Sequence, residues 1–143
     1  MERSFYSLAP RDDASVAGGG LEVNLPRVHL VDDDRAVRDA LSTFLGAVGY
    51  AVEQHDSGEA FLSVCEDTTD SVLVLDINLP GADAFGVLKL LRERLPQLPP
   101  TVLITGLGSP RIRERALHLG VLAVLDKPVD GERLVAILED AAA

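Results

Sequence analysis

Residues 71–81 read Ser71-Val72-Leu73-Val74-Leu75-Asp76-Ile77-Asn78-Leu79-Pro80-Gly81. An aliphatic run ends on a carboxylate and then on a Pro-Gly turn. The run shows no alternation of apolar and polar positions, as expected of a strand covered on both faces. Residues 101–104 and 121–125 repeat the pattern, and 28–31 and 50–53 complete a set of five predicted strands. Three runs close on charged residues: Val31-Asp32-Asp33-Asp34, Leu75-Asp76-Ile77-Asn78 and Leu125-Asp126-Lys127-Pro128. If the strands are parallel, these residues emerge together at the carboxyl edge of one sheet, where open α/β sheets place their ligand sites.

Helical patterns separate the strands. Val37, Leu41, Phe44, Leu45 and Val48 share one helix face, with Asp34 as the N-cap and Gly49 as the stop. Further helices are predicted over 57–66, 84–94, 110–119 and 131–141. Ser57 starts the second of the five without a capping box, because Ala60 stands where Glu or Gln would complete it. Pro96, Pro99 and Pro100 terminate the third. Five βα units with right-handed crossovers give an α/β fold, a doubly wound (βα)5 sandwich on a parallel five-stranded sheet of flavodoxin-like order 2-1-3-4-5. In that order Asp32 and Asp33 lie beside Asp76, Thr105 leaves strand four and Lys127 leaves strand five.

A chain of 143 residues, 47% of them hydrophobic, can bury the core of one domain. Pro10, Gly18-Gly19-Gly20 and Pro26 mark residues 1–26 as a flexible leader, leaving 27–143 as the folded domain. The formal net charge is −10. Residues 1–26 contribute −2 of it (Arg3 and Arg11 against Glu2, Asp12, Asp13 and Glu22), so the excess belongs to the folded part. This balance argues against nonspecific nucleic-acid binding, which needs surplus Lys and Arg. No apolar run suits a bilayer and the first residues do not resemble a signal peptide, so a soluble, cytoplasmic protein with no membrane partner is expected. Cys65 has no partner for a disulfide or a metal site and is read as a half-buried helical thiol.

Three converging carboxylates repel one another, and a divalent cation relieves them at neutral pH. Hard oxygen ligands with room for water favour Mg²⁺, held by Asp33, Asp76 and the backbone carbonyl of Asn78, with Asp32 acting through water. Asp76 is the candidate nucleophile for an acyl phosphate. Lys127 and Thr105 are the candidate charge and hydroxyl partners of the transferred group. Taken singly each of these is a cap, a turn residue or a solvated lysine, and Asp34 is read as only a cap. His29, His55 and His118 are read as structural, in a strand, a strand end and a helix with no shared face.

With those motifs assembled, residues 28–140 resemble the receiver domain of two-component response regulators, in particular the nitrogen-fixation regulator type, a CheY-like fold. The resemblance rests on Val-Asp-Asp-Asp at 31–34, Leu-Asp-Ile-Asn-Leu-Pro-Gly at 75–81, Ile-Thr-Gly at 104–106 and Asp-Lys-Pro at 126–128. It implies Asp76 as phosphoacceptor, Asp32 and Asp33 as the acidic pair, Thr105 as the hydroxyl of the switch, Lys127 as the phosphate contact and a cis bond before Pro128. It also implies a sensor histidine kinase as phosphoryl donor, with transcription regulation downstream.

Departures accompany the match. Val124 stands where the family has an aromatic ring that follows the Thr105 hydroxyl, Ala84 stands where glycine is common, and Asn78 and Leu107 occupy positions that tune acyl-phosphate lifetime. Arg111, Arg113 and Arg115 form a basic patch on the fourth helix. It is either a solvated face or a contact surface for a kinase, an output domain or a second copy, since the fourth helix to fifth helix face signals in the family. Two rival readings remain: a pseudo-receiver interaction module, and an aspartyl-nucleophile phosphatase. The phosphatase lacks its second aspartate because Asn78 is there. Only Ala141-Ala142-Ala143 follow Asp140, so a DNA-binding unit is not expected in this stretch, and the family resemblance points to a fragment of a longer regulator.

Overall fold

The computed structural model describes residues 25–65, 70–81, 83–106 and 108–142. Strand β1 (Arg27–Val31) leads through helix α1 (Arg35–Val48) to β2 (Ala51–His55), and α2 (Gly58–Val64) leads to β3 (Ser71–Asp76). The chain continues through α3 (Ala84–Arg94), β4 (Thr101–Thr105), α4 (Pro110–His118), β5 (Ala123–Asp126) and α5 (Gly131–Ala142). All pairings are parallel and the strand order is β2-β1-β3-β4-β5. This is the flavodoxin-like doubly wound arrangement expected from the sequence.

Alternation along the strands divides the core into two layers. Val28, Leu30, Val72, Val74, Val102 and Ile104 face α1 and α5, where Leu41, Leu45, Leu134 and Leu138 meet them. Val31, Leu73, Leu75, Leu103 and Val124 face the opposite layer and pack on Phe61, Val87, Leu88 and Ala116 of α2, α3 and α4. Each fully buried Leu or Phe contributes about 1.5–3 kcal/mol relative to exposure. Because both faces are covered, β3 and β4 are buried at every position.

Local rules set the ends of the elements. Asp34 caps α1 by accepting from the Ala36 and Val37 N–H groups, and Gly49 closes it with a left-handed φ of 120°. Tyr50 belongs to that closing turn, its N–H donating to the Leu45 carbonyl at 3.0 Å, so β2 begins one residue later than expected. Helix α2 ends at Val64 and β5 begins at Ala123, both inside their predicted spans. Cys65 is buried at the C-cap of α2, not half-buried within a helix, and donates its S–H to the Leu62 carbonyl at 3.6 Å. Among the described residues no helix is long and apolar enough to cross a membrane. The leader expectation for 1–26 falls almost wholly outside the described residues, as does Leu107.

Candidate functional site

Parallel pairing carries three strand ends to one edge of the sheet. Register aligns Val31 of β1 with Leu75 of β3, so Asp32 follows one strand where Asp76 ends its neighbour. Asp76 in turn pairs with Ile104, and Thr105 with Asp126, which brings Lys127 to the same edge. Carboxylate oxygens of Asp32, Asp33 and Asp76 lie within 4.8 Å of one another. Asp32 and Asp76 are buried, whereas Asp33 is exposed and forms the outer rim.

Each buried carboxylate is held at one oxygen by its own chain. Asp32 Oδ1 accepts from the Asp34 N–H at 2.8 Å, and Asp76 Oδ1 accepts from the Asn78 N–H at 3.0 Å. Their second oxygens converge on Lys127 Nζ, 2.9 Å from Asp76 Oδ2 and 3.1 Å from Asp32 Oδ2. The contact with Asp76 is a hydrogen bond, whereas Asp32 Oδ2 meets the ammonium as a charge contact and is buried without a hydrogen-bond partner. Burial pushes the Asp32 carboxyl above its usual value, opposed by the Asp34 N–H and by Lys127. Burial acts to lower Lys127, but its contacts with Asp76 and Asp32 outweigh that, and the ammonium is held above its ordinary value.

With all three aspartates ionised, three carboxylates against one ammonium leave a local charge of −2. A buried carboxylate oxygen held by charge contact alone, beside a solvent-facing carboxylate, is a donor set suited to a hard divalent cation, and Mg²⁺ fits it. The residues able to hold it are Asp32, Asp33, Asp76 and Asn78 through its carbonyl.

The remaining predicted residues gather around this pocket. Thr105 is fully buried, and its carbonyl accepts from the Lys127 N–H at 2.8 Å. The Lys127–Pro128 peptide is cis. Val124 is buried in the core layer beneath α4. Gly81, in the turn after Asp76, has a φ of 77°, and a Cβ there would sit 2.6 Å from Glu59 Oε2, so only glycine suits it.

Two expectations about other residues need correction. Arg113 and Arg115 are engaged within the domain. Arg113 donates to the Val124 carbonyl at 2.7 Å and to both Asp126 carboxylate oxygens at 2.9 and 3.0 Å, and the Arg115 guanidinium lies 4.1 Å over the Phe85 ring. Arg111 and Arg115 remain exposed and Arg113 is partly buried, so the patch is neither a wholly solvated face nor free of contacts within the domain. His29 and His55 do share a face: because Val31 pairs with His55, their rings stack with Nδ1 of one 3.1 Å from Nε2 of the other. Sequence reading also missed Arg38, which donates to the Asp32 carbonyl at 2.6 Å from the first turn of α1. Its position four residues after the Asp34 cap was the available signal.

Comparison with known proteins agrees with this geometry. Residues 28–139 match the family model of the response regulator receiver domain. The transcriptional regulatory protein FixJ of Bradyrhizobium diazoefficiens is 34% identical over 115 residues, covering 80% of this chain and 55% of that protein. The response regulator protein FleR of Pseudomonas aeruginosa is 38% identical over 109 residues, covering 76% of this chain and 23% of that one. Among solved structures, FixJ-N superposes with a TM-score of 0.75 at 32% identity, covering 84% of this chain and 95% of that one. The chain spans about half the length of the FixJ proteins it matches.

Proposed function

The chain belongs to the response regulator receiver family, and from that premise we propose that it is a phosphoacceptor switch in which Asp76 takes a phosphoryl group from a sensor histidine kinase. The observation that carries the proposal is Lys127 Nζ bridging Asp76 and Asp32 beside the solvent-facing Asp33. A carboxylate oxygen of Asp76 attacks the phosphorus of a phosphohistidine, the P–N bond breaks, the imidazole leaves, and an acyl phosphate remains on Asp76. Its Oδ1 is already oriented by the Asn78 N–H, and Lys127 supplies a positive charge at Oδ2. Asp32, Asp33, Asp76 and the Asn78 carbonyl would hold Mg²⁺, which when bound would neutralise charge on the phosphoryl oxygens.

Thr105 and Lys127 transmit the added charge, since the backbone of one holds the backbone of the other at the pocket edge. Asn78 in place of a second aspartate argues against a phosphatase, which lacks its general acid here. We place the protein in the cytoplasm with a histidine kinase partner, and the net charge of −10 argues against nonspecific nucleic-acid binding by this chain. Acetyl phosphate with Mg²⁺ should add one phosphoryl mass that hydroxylamine removes. The adduct should disappear with chelator and in Asp76→Asn. A receiver fold that binds Mg²⁺ but never acquires the adduct would establish the pseudo-receiver reading instead.

A further inference from the structure

Strands β1 and β2 carry a second cluster of ligating atoms, on the sheet face covered by α2. Parallel register sets His29 beside Glu53 and Val31 beside His55, so His29, Glu53 and His55 all point to that face. His29 Nδ1 lies 3.1 Å from His55 Nε2 and 3.7 Å from Glu53 Oε1, and the three ligand atoms fall within 4.8 Å of one another. The imidazoles are 6% and 7% exposed, stacked on each other and locked by Phe61, whose ring centroid is 5.2 and 5.3 Å from theirs. Glu53 reaches in from the edge strand with 46% of its side chain exposed.

A hydrogen bond between the two rings places one proton between two nitrogen lone pairs and leaves the nearby carboxylate beyond hydrogen-bonding reach of Nδ1. A cation at that position would satisfy all three groups. Metal–nitrogen bonds of about 2.0–2.1 Å in tetrahedral geometry separate ligand nitrogens by roughly 3.3–3.4 Å, so the pair needs to open by only a few tenths of an ångström. We propose that His29 Nδ1, His55 Nε2 and the Glu53 carboxylate form a Zn²⁺ site with a fourth position open to water.

Imidazole ligands select a borderline transition ion over the Mg²⁺ suited to the all-oxygen pocket. Burial holds both histidines below their ordinary value, which keeps them in the neutral ligating form. His29 and Glu53 line an open crevice with Arg27, Val64 and Cys65, through which an ion can enter. The competing partner of Glu53 is a 4.0 Å contact with Arg27 between two half-exposed side chains, which is weak. The Asp32 N–H donates to the His55 carbonyl at 3.1 Å, so one backbone hydrogen bond joins this site to the acidic pocket without a shared ligand.

The test is a Zn²⁺ titration of the full chain in excess Mg²⁺, with Co²⁺ absorption as a reporter of coordination. One equivalent should bind. Glu53→Gln, a change at a half-exposed side chain that leaves the fold intact, should weaken it by roughly tenfold or more, and His55→Gln should abolish it. Zn²⁺ should also shift the ring-nitrogen resonances of His29 Nδ1 and His55 Nε2 in the unmutated protein, a readout independent of any variant. Asp33→Asn, which dismantles the acidic pocket, and His118→Gln should leave Zn²⁺ affinity unchanged. Absence of saturable binding, unchanged affinity in Glu53→Gln, or loss on Asp33→Asn or His118→Gln overturns the assignment.

Discussion

Lys127 serves two buried carboxylates with a single charge. Its side chain is 24% exposed while those of Asp32 and Asp76 are 0% and 4% exposed, so this ammonium and one backbone N–H apiece compensate the two acids. Replacement by Ala should slow phosphorylation from acetyl phosphate about a hundredfold, the scale of losing one preorganised charge partner. Stopped-flow or mass-spectrometric time courses read this directly. Asp33 has the opposite character, adding like charge at the rim. Asp33→Asn should raise stability by about 0.5–1 kcal/mol in urea unfolding without metal, because repulsion is relieved at an exposed position. Mg²⁺ at a hundredfold excess over its dissociation constant should stabilise the unmutated chain by about 2.7 kcal/mol through mass action. That gain should largely vanish in Asp33→Asn, and an undiminished gain would remove Asp33 from the ligand set.

At the scale of elements, α4 is fastened to β5 by one guanidinium. Arg113 holds the Val124 carbonyl and the Asp126 carboxylate at once, at the strand where Val124 replaces the ring expected of the family. The ion pair is 39% and 64% exposed on its two sides and is worth little, whereas the carbonyl is part-buried. Arg113→Ala should therefore cost about 1 kcal/mol and Asp126→Asn less than about 0.5 kcal/mol, and equal costs would contradict this ranking. This latch was not legible in the sequence, where Arg113 reads as one of three charges on either a solvated face or a contact surface. Spacing along a helix says which face a residue occupies but not which carbonyl its guanidinium reaches. The His29 and His55 pairing was hidden for a related reason, since each strand's alternation shows its own two faces and only interstrand register shows which residues meet. By contrast, continuous apolar runs made β3 and β4 readable, and the Asp34 cap with the Gly49 stop made α1 readable, because those signals are local.

For the whole molecule, order 2-1-3-4-5 brings strand ends distant in sequence to one edge, which is why Asp32, Asp76, Thr105 and Lys127 were readable from topology before any distance was known. The output was less so, because a surface reads as a partner site only when its partner is present. We propose that the face from α4 to α5 joins a second copy on phosphorylation. Leu117 is 54% exposed there, with Arg111 on the same helix. Sedimentation with Mg²⁺ and beryllofluoride should show self-association that Leu117→Asp prevents. Monomers under activating conditions would point to another surface. The central claim, that Asp76 is the phosphoacceptor, is tested most directly by reducing the phosphorylated chain with borohydride and locating the product by peptide sequencing. The account predicts homoserine at position 76. Homoserine at position 32 or 33, or a phosphorylated protein with no reduced residue, would contradict it.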